Sequence, residues 1–149
     1  MLPENNLNKK SNFGLIKVIC GSMFSGKTEE LIRRIKRAEY SRLKTVVFKP
    51  KIDSRSHGNY ISTHNNKKYK AFNVTNENEI LEKSKKYDVV GIDEAQFFSN
   101  SLVDTCNLLA NEGKRIIVAG LDMDFRGKPF GPMPNLMATA EFVSKLHAL

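Results

Sequence analysis

The chain has 149 residues, 40% hydrophobic and 27% charged, which suits one globular domain with a real core. No apolar run is long enough to cross a bilayer, and residues 1–12 are polar, rich in Asn and Lys, and lack the apolar segment of a secretory signal. These features exclude a helical membrane protein and point to a cytoplasmic one, with residues 1–13 expected as a disordered leader before a domain over 14–149.

The net charge of +8 raises nucleic acid as a partner. The basic residues are spread along the chain, however, as Lys9-Lys10, Arg33-Arg34, Lys36-Arg37, Lys67-Lys68 and Lys85-Lys86. Solvated surface is the expectation, with no stable nucleic-acid partner. Cys20 and Cys106 are far apart and form no C-x-x-C pair, so they read as buried free thiols in a reducing compartment and offer no zinc signature.

In chain order, Leu15 to Cys20 is apolar and β-branched and predicts a buried strand. Gly21-Ser22-Met23-Phe24-Ser25-Gly26-Lys27-Thr28 follows and fits G-x-x-x-x-G-K-[ST]. Glu29 to Ala38 predicts a helix with Leu31, Ile32, Ile35 and Ala38 inward. A strand, this loop and a helix in register form a phosphate cradle. The glycines let the backbone curl, the N–H groups turn inward, and the helix start adds positive potential. Lys27 reaches the β- and γ-phosphates, and the Thr28 hydroxyl ligates Mg²⁺.

Thr45 to Lys49 predicts a second strand stopped by Pro50, and Ile52 to Asn66 a polar loop with a short hairpin. Asp53 and Arg55 lie in that loop, beyond a strand's C-terminal end, where open α/β sheets bind ligands. Tyr69 to Asn73 predicts a short strand, and Asn76 an N-cap for a helix through Ser84. Val89 to Ile92 predicts a buried strand ending in Asp93-Glu94. An acid there is costly without a partner or task. Asp93 is assigned to Mg²⁺ and Glu94 to accepting a proton from the attacking group. Ser99 to Glu112 predicts a helix, Arg115 to Gly120 a strand, Leu121 to Pro132 a turn-rich loop, Asn135 to Glu141 a short helix and Phe142 to His147 a last strand. The class is α/β, a P-loop core with a mainly parallel sheet and helices on both faces.

A phosphate loop with Asp-Glu implies a nucleoside triphosphate and Mg²⁺, without choosing hydrolysis over transfer. Phe97, Phe98, Phe125, Phe130 and Met23 suggest an apolar slot for a flat acceptor such as a nucleobase. A DNA-associated P-loop ATPase is the alternative, and a non-catalytic nucleotide-binding fragment a third reading.

Four blocks narrow the choice: Gly21 to Leu31, Lys49 to Arg55, Asp93-Glu94-Ala95-Gln96-Phe97-Phe98, and Gly120 to Met133. Together they resemble type II thymidine kinases, from about Gly14 to the last residue. The resemblance implies a RecA-like core that transfers the ATP γ-phosphate to the 5′-hydroxyl of thymidine, giving thymidine monophosphate for salvage into DNA precursors. It implies a homotetramer. By position, Lys27 and Thr28 resemble the phosphate and Mg²⁺ residues and Glu94 the base. Arg55 resembles the arginine that stabilises the transferring phosphoryl group, and Asp53 orients its loop. Donor binding is thereby assigned to Gly21, Ser22, Met23, Phe24, Ser25, Gly26, Lys27 and Thr28, with Asp53, Asp93 and Gln96. Gln96 resembles a residue lying near the nucleoside, and Met23, Phe97, Leu121, Phe125 and Phe130 resemble the lining of the thymine pocket. The family continues into a small zinc domain with a lasso loop over the base. This sequence stops at Leu149. The expectation is therefore no structural zinc here, an acceptor site short of one wall, and weak turnover of thymidine.

Overall fold

Val18, Ile19 and Cys20 are fully buried, so β1 (Leu15–Gly21) runs through the centre of the molecule. The computed structural model describes residues 14–52 and 58–148. After β1 come α1 (Lys27–Tyr40), β2 (Thr45–Pro50), β3 (Tyr60–Ser62), β4 (Lys68–Lys70), β5 (Phe72–Val74) and α2 (Glu77–Lys83). Then follow β6 (Val89–Ile92), a 3₁₀ turn (Ala95–Phe97), α3 (Ser101–Asn111), β7 (Arg115–Leu121), α4 (Met133–Thr139) and β8 (Phe142–Leu146). The main sheet has six strands in the order β5-β2-β6-β7-β1-β8, and every neighbouring pair is parallel.

Strand periodicity sorts the core into two layers. Ile19, Val47, Val89, Ile117 and Ala119 face α1, whose Leu31, Ile32, Ile35 and Ala38 are buried against them. Ile16, Val18, Val90, Ile92, Ile116 and Val118 face the other way, against Ile80 of α2, Leu102, Cys106 and Leu109 of α3, and Met133 and Leu136 of α4. Leu31 is 0% exposed at the centre of the first layer. Leu31→Ala should therefore cost about 2–5 kcal/mol, the usual range for an emptied core leucine. Urea unfolding checks it, and a change under 1 kcal/mol (roughly the level of a surface substitution) would show that α1 is not anchored there.

Several boundaries differ from the sequence expectation. Helix α1 starts at Lys27, two residues early, because Gly26 adopts a left-handed conformation (φ 88°) and its carbonyl already accepts the Glu30 N–H at 3.0 Å. The strand expected over Tyr69 to Asn73 is two strands in two sheets. It breaks at Ala71, which is buried and donates its N–H to Asn59 rather than to a ladder. Upstream, β4 pairs antiparallel with β3; downstream, β5 joins the main sheet beside β2. Asn76 caps α2 as expected, accepting the Glu79 N–H at 3.3 Å. Helix α3 begins at Ser101, since the Ser99 hydroxyl accepts the Ser101 N–H at 3.2 Å.

The basic residues are also less scattered than their spacing suggests. Lys17, Arg33, Arg34, Arg37 and Arg115 line one groove of about 370 Å³ between α1 and the sheet. Glu30 holds Arg33 and Arg34 there, the Arg34 Nε at 2.8 Å, and Lys17 lies over the Phe142 ring at 5.4 Å. The leader 1–13 and the residues Asp53 and Arg55 lie outside the described residues.

Candidate functional site

Because all six strands are parallel, the loops after β1, β2, β6 and β7 leave the same edge of the sheet. A cleft of about 610 Å³ opens there, lined by Met23, Phe24, Gly26, Lys27 and Thr28 of the phosphate loop and by Asp93, Glu94, Gln96, Phe97 and Leu121. Sequence reading expected a short hairpin within 52–66 but gave it no part in the site, where it forms a third wall. Lys49 and Pro50 at the end of β2 and Ile52 beyond it, with Tyr60 to His64 of the small hairpin, complete the lining. A lysine closing the apolar run Val46-Val47-Phe48 was the available signal. The structure leaves it 9% exposed, and burial lowers its pKa while Asp93 opposes the shift.

The phosphate loop has the strained geometry that an anion nest requires. Gly21 has φ 147° and Gly26 φ 88°, and Phe24, which is no glycine, also has a positive φ of 62°. A Cβ on Gly21 would lie 2.3 Å from the Leu146 carbonyl oxygen. Lys27 curls back over the loop and donates from Nζ to the Ser22 carbonyl at 2.6 Å and to the Ser25 hydroxyl at 3.4 Å. Its pKa is lowered, chiefly by burial, against the pull of Glu94, Asp93 and Asp122. The ammonium is thus partly stripped of water beside the phosphate loop.

Asp93 directly follows β6 and is 5% exposed. It accepts the Thr28 hydroxyl at Oδ2, 3.0 Å away, which joins the two residues assigned to Mg²⁺. Burial pushes its carboxyl up to about 6, with the Glu94 charge adding to the shift and the Thr28 bond opposing it. Among the described residues no three His, Cys, Asp or Glu side chains converge as a metal cage. A carboxylate beside a hydroxyl is instead an oxygen-only pair, which suits a hard ion completed by water and phosphate oxygens.

Glu94 is exposed to the cleft and has φ 53°, ψ 41°, a left-handed conformation that is uncommon for a residue with a side chain. Gln96 is 3% exposed and donates from Nε2 to Glu94 Oε2 at 2.7 Å. Its Oε1 accepts the Leu121 N–H at 3.0 Å.

The apolar candidates separate. Met23, Phe97 and Leu121 line the cleft. Phe98 is 6% exposed and belongs to the core. Phe130 meets Phe97 edge to face, ring centroids 5.6 Å apart, as a layer behind the lining. Phe125 is 98% exposed and does not line the cleft, because Asp124 and Arg126 fold the tip of its loop on themselves through a bond of 2.9 Å.

Similarity to known proteins agrees with this arrangement. The profile of the family "Thymidine kinase" matches residues 14–149. A thymidine kinase of Bacteroides fragilis (strain YCH46) is 51% identical over the whole chain, which covers 75% of that protein. A thymidine kinase of Rhodothermus sp. (strain ITI 518) is 52% identical over 96% of this chain and 67% of its own length. Among solved structures, the flagellar accessory protein FlaH of Methanocaldococcus jannaschii superposes with a TM-score of 0.62 at 13% identity, over 97% of this chain and 78% of that one. The ATPase DotB of Legionella pneumophila gives 0.54 at 14%, over 93% and 37%. The last two share the fold, a RecA-like P-loop core. With the family profile matched over residues 14–149 and about half of all residues identical to a curated relative over the whole chain, the chain belongs to the thymidine kinase family.

Proposed function

We propose that the cleft transfers the γ-phosphoryl group of ATP to the 5′-hydroxyl of thymidine, with Glu94 as the base. The observation that carries this reading is the convergence of Lys27, Thr28, Asp93 and Glu94 on one cleft whose remaining wall offers Met23, Phe97 and Leu121 to a flat base. The loop N–H groups and Lys27 bind the β- and γ-phosphates. Asp93 and Thr28 would hold Mg²⁺, which when bound offsets charge on the phosphate oxygens. Glu94 takes the proton of the 5′-hydroxyl as its oxygen attacks the γ-phosphorus. The bond from that phosphorus to the β–γ bridging oxygen breaks, and ADP leaves. Arg55 is assigned to the charge on the transferring group and Asp53 to orienting its loop. In the loop after β7 (residues 122–132), here the acceptor loop, Phe130 backs Phe97 and Phe125 stands at the exposed tip. The resemblance adds a cytoplasmic homotetramer working in salvage to this reading.

The test is ATP labelled at the γ-position, incubated with the chain, Mg²⁺ and thymidine, with products separated. Label in thymidine monophosphate, absent without thymidine, is the expected result. Label in free phosphate alone, with or without thymidine, would replace the kinase reading with that of an ATPase.

A further inference from the structure

We infer that Gln96 is a positioning residue: its amide clamps Glu94 in the conformation from which it works and ties it to the acceptor loop. This rests on the reading of Glu94 as the base.

The amide is used at both ends. Nε2 donates to Glu94 Oε2 at 2.7 Å, and Oε1 accepts the Leu121 N–H at 3.0 Å. Only this orientation works, because turning the amide over would face N–H against N–H and oxygen against carboxylate. Glutamine suits the place because it offers a donor and an acceptor about 2 Å apart on one rigid plane. Glu94 needs holding. Its backbone is left-handed (φ 53°), and its side chain is exposed to the cleft. A non-glycine residue held so costs about 1–3 kcal/mol and persists only when its surroundings over-determine it.

The surroundings of Gln96 are built to keep it in place. A Cβ on Gly120 would lie 2.9 Å from Gln96 Oε1, and one on Gly131 would lie 2.3 Å from the Gln96 carbonyl oxygen. Both glycines therefore make room for this residue, Gly120 for the Met133 sulfur as well, and they flank the loop that carries Phe125 and Phe130, Gly120 from the end of β7. Phe97, the next residue, meets Phe130 edge to face. Gln96 thus fastens the acceptor loop at Leu121 and the base at Glu94 through one side chain. Order in the acceptor loop and aim of the carboxylate become a single event.

The test is a double-mutant cycle on kcat with Gln96→Met and Glu94→Gln. Gln96→Met in the wild-type background should lower kcat by about 10- to 100-fold, the range for misplacing a catalytic group by an ångström. The KM for ATP should stay within about twofold, because the donor loop is untouched. In the Glu94→Gln background the same substitution should change kcat by less than about twofold, since the residue it aims is already disabled. Equal losses in both backgrounds, or no loss in the wild type, would overturn the inference while leaving the base assignment intact. Full activity of Glu94→Gln alone would remove the base and the clamp together. Gln96→Glu keeps the size of the side chain and the acceptor for Leu121 but sets an anion against Glu94. It should also lose at least about tenfold in kcat. Urea unfolding of each variant separates a lost clamp from a lost fold. An unchanged unfolding midpoint with the loss in kcat is the expected result, and a loss in kcat that only follows a loss of stability would overturn the inference.

Discussion

Glu94→Gln should lower kcat by about 10²–10⁴-fold, the contribution typical of a positioned general base. The substitution preserves size and can still meet the Gln96 amide at 2.7 Å, so the fold and the loop geometry are kept. What it removes is the ability to carry away a proton. The KM for ATP should hardly move, because the phosphates are bound by the loop and Lys27 rather than by Glu94. Steady-state kinetics with both substrates varied decides it. A loss below tenfold in kcat, or a loss confined to KM, would mean that the hydroxyl proton leaves by another route.

Asp93→Asn should abolish most turnover and yet make the metal-free protein more stable at neutral pH. The carboxyl of Asp93 is pushed up to about 6 by burial, with a smaller push from Glu94. Its unfolded value is about 3.9. A carboxyl raised in this way adds stability only below its unfolded pKa; the contribution is lost as pH rises from about 4 through about 6. A two-unit shift is worth on the order of 3 kcal/mol of destabilisation above that window. The substituted amide would still accept the Thr28 hydroxyl while carrying no charge, though it has a desolvation cost of its own. A net gain of about 1–2 kcal/mol at pH 7.5, fading towards pH 4, is the expected difference in urea unfolding with a chelator present. A loss of stability at pH 7.5 would show that the carboxylate serves the fold. The expected gain, coupled to lost activity, marks a charge kept for chemistry.

The parts of the site that a sequence can show are those coded by adjacent residues. The phosphate loop is legible because strand, glycines, lysine and helix follow one another without a gap, and Asp93-Glu94 because two acids directly follow an apolar strand. Helix α1 is legible from Leu31, Ile32, Ile35 and Ala38, all of which are buried. What depends on distant contacts is not. The hairpin wall of the cleft joins Tyr60–Ser62 to Lys68–Lys70, three-residue strands too short to give a period. Lys17, Arg34 and Arg115 look scattered, and only the packing of α1 across the sheet gathers them in one groove. Phe98 and Phe125 are alike as residues, yet one is 6% and the other 98% exposed. The register of the 3₁₀ turn and the local bond between Asp124 and Arg126 decide that difference. Gln96 is read as a nucleoside neighbour from its place in a motif, and its bond to the Leu121 N–H, 25 positions away, is a tertiary fact.

The most direct measurement is a crystal structure with thymidine and a non-hydrolysable ATP analogue bound together. The 5′-hydroxyl oxygen should lie about 2.6–3.2 Å from a carboxylate oxygen of Glu94. The γ-phosphate should sit against Lys27, and the Gln96 amide should still bridge Glu94 and Leu121. A 5′-hydroxyl turned away from Glu94, with the carboxylate free of Gln96, would contradict both the base and the clamp.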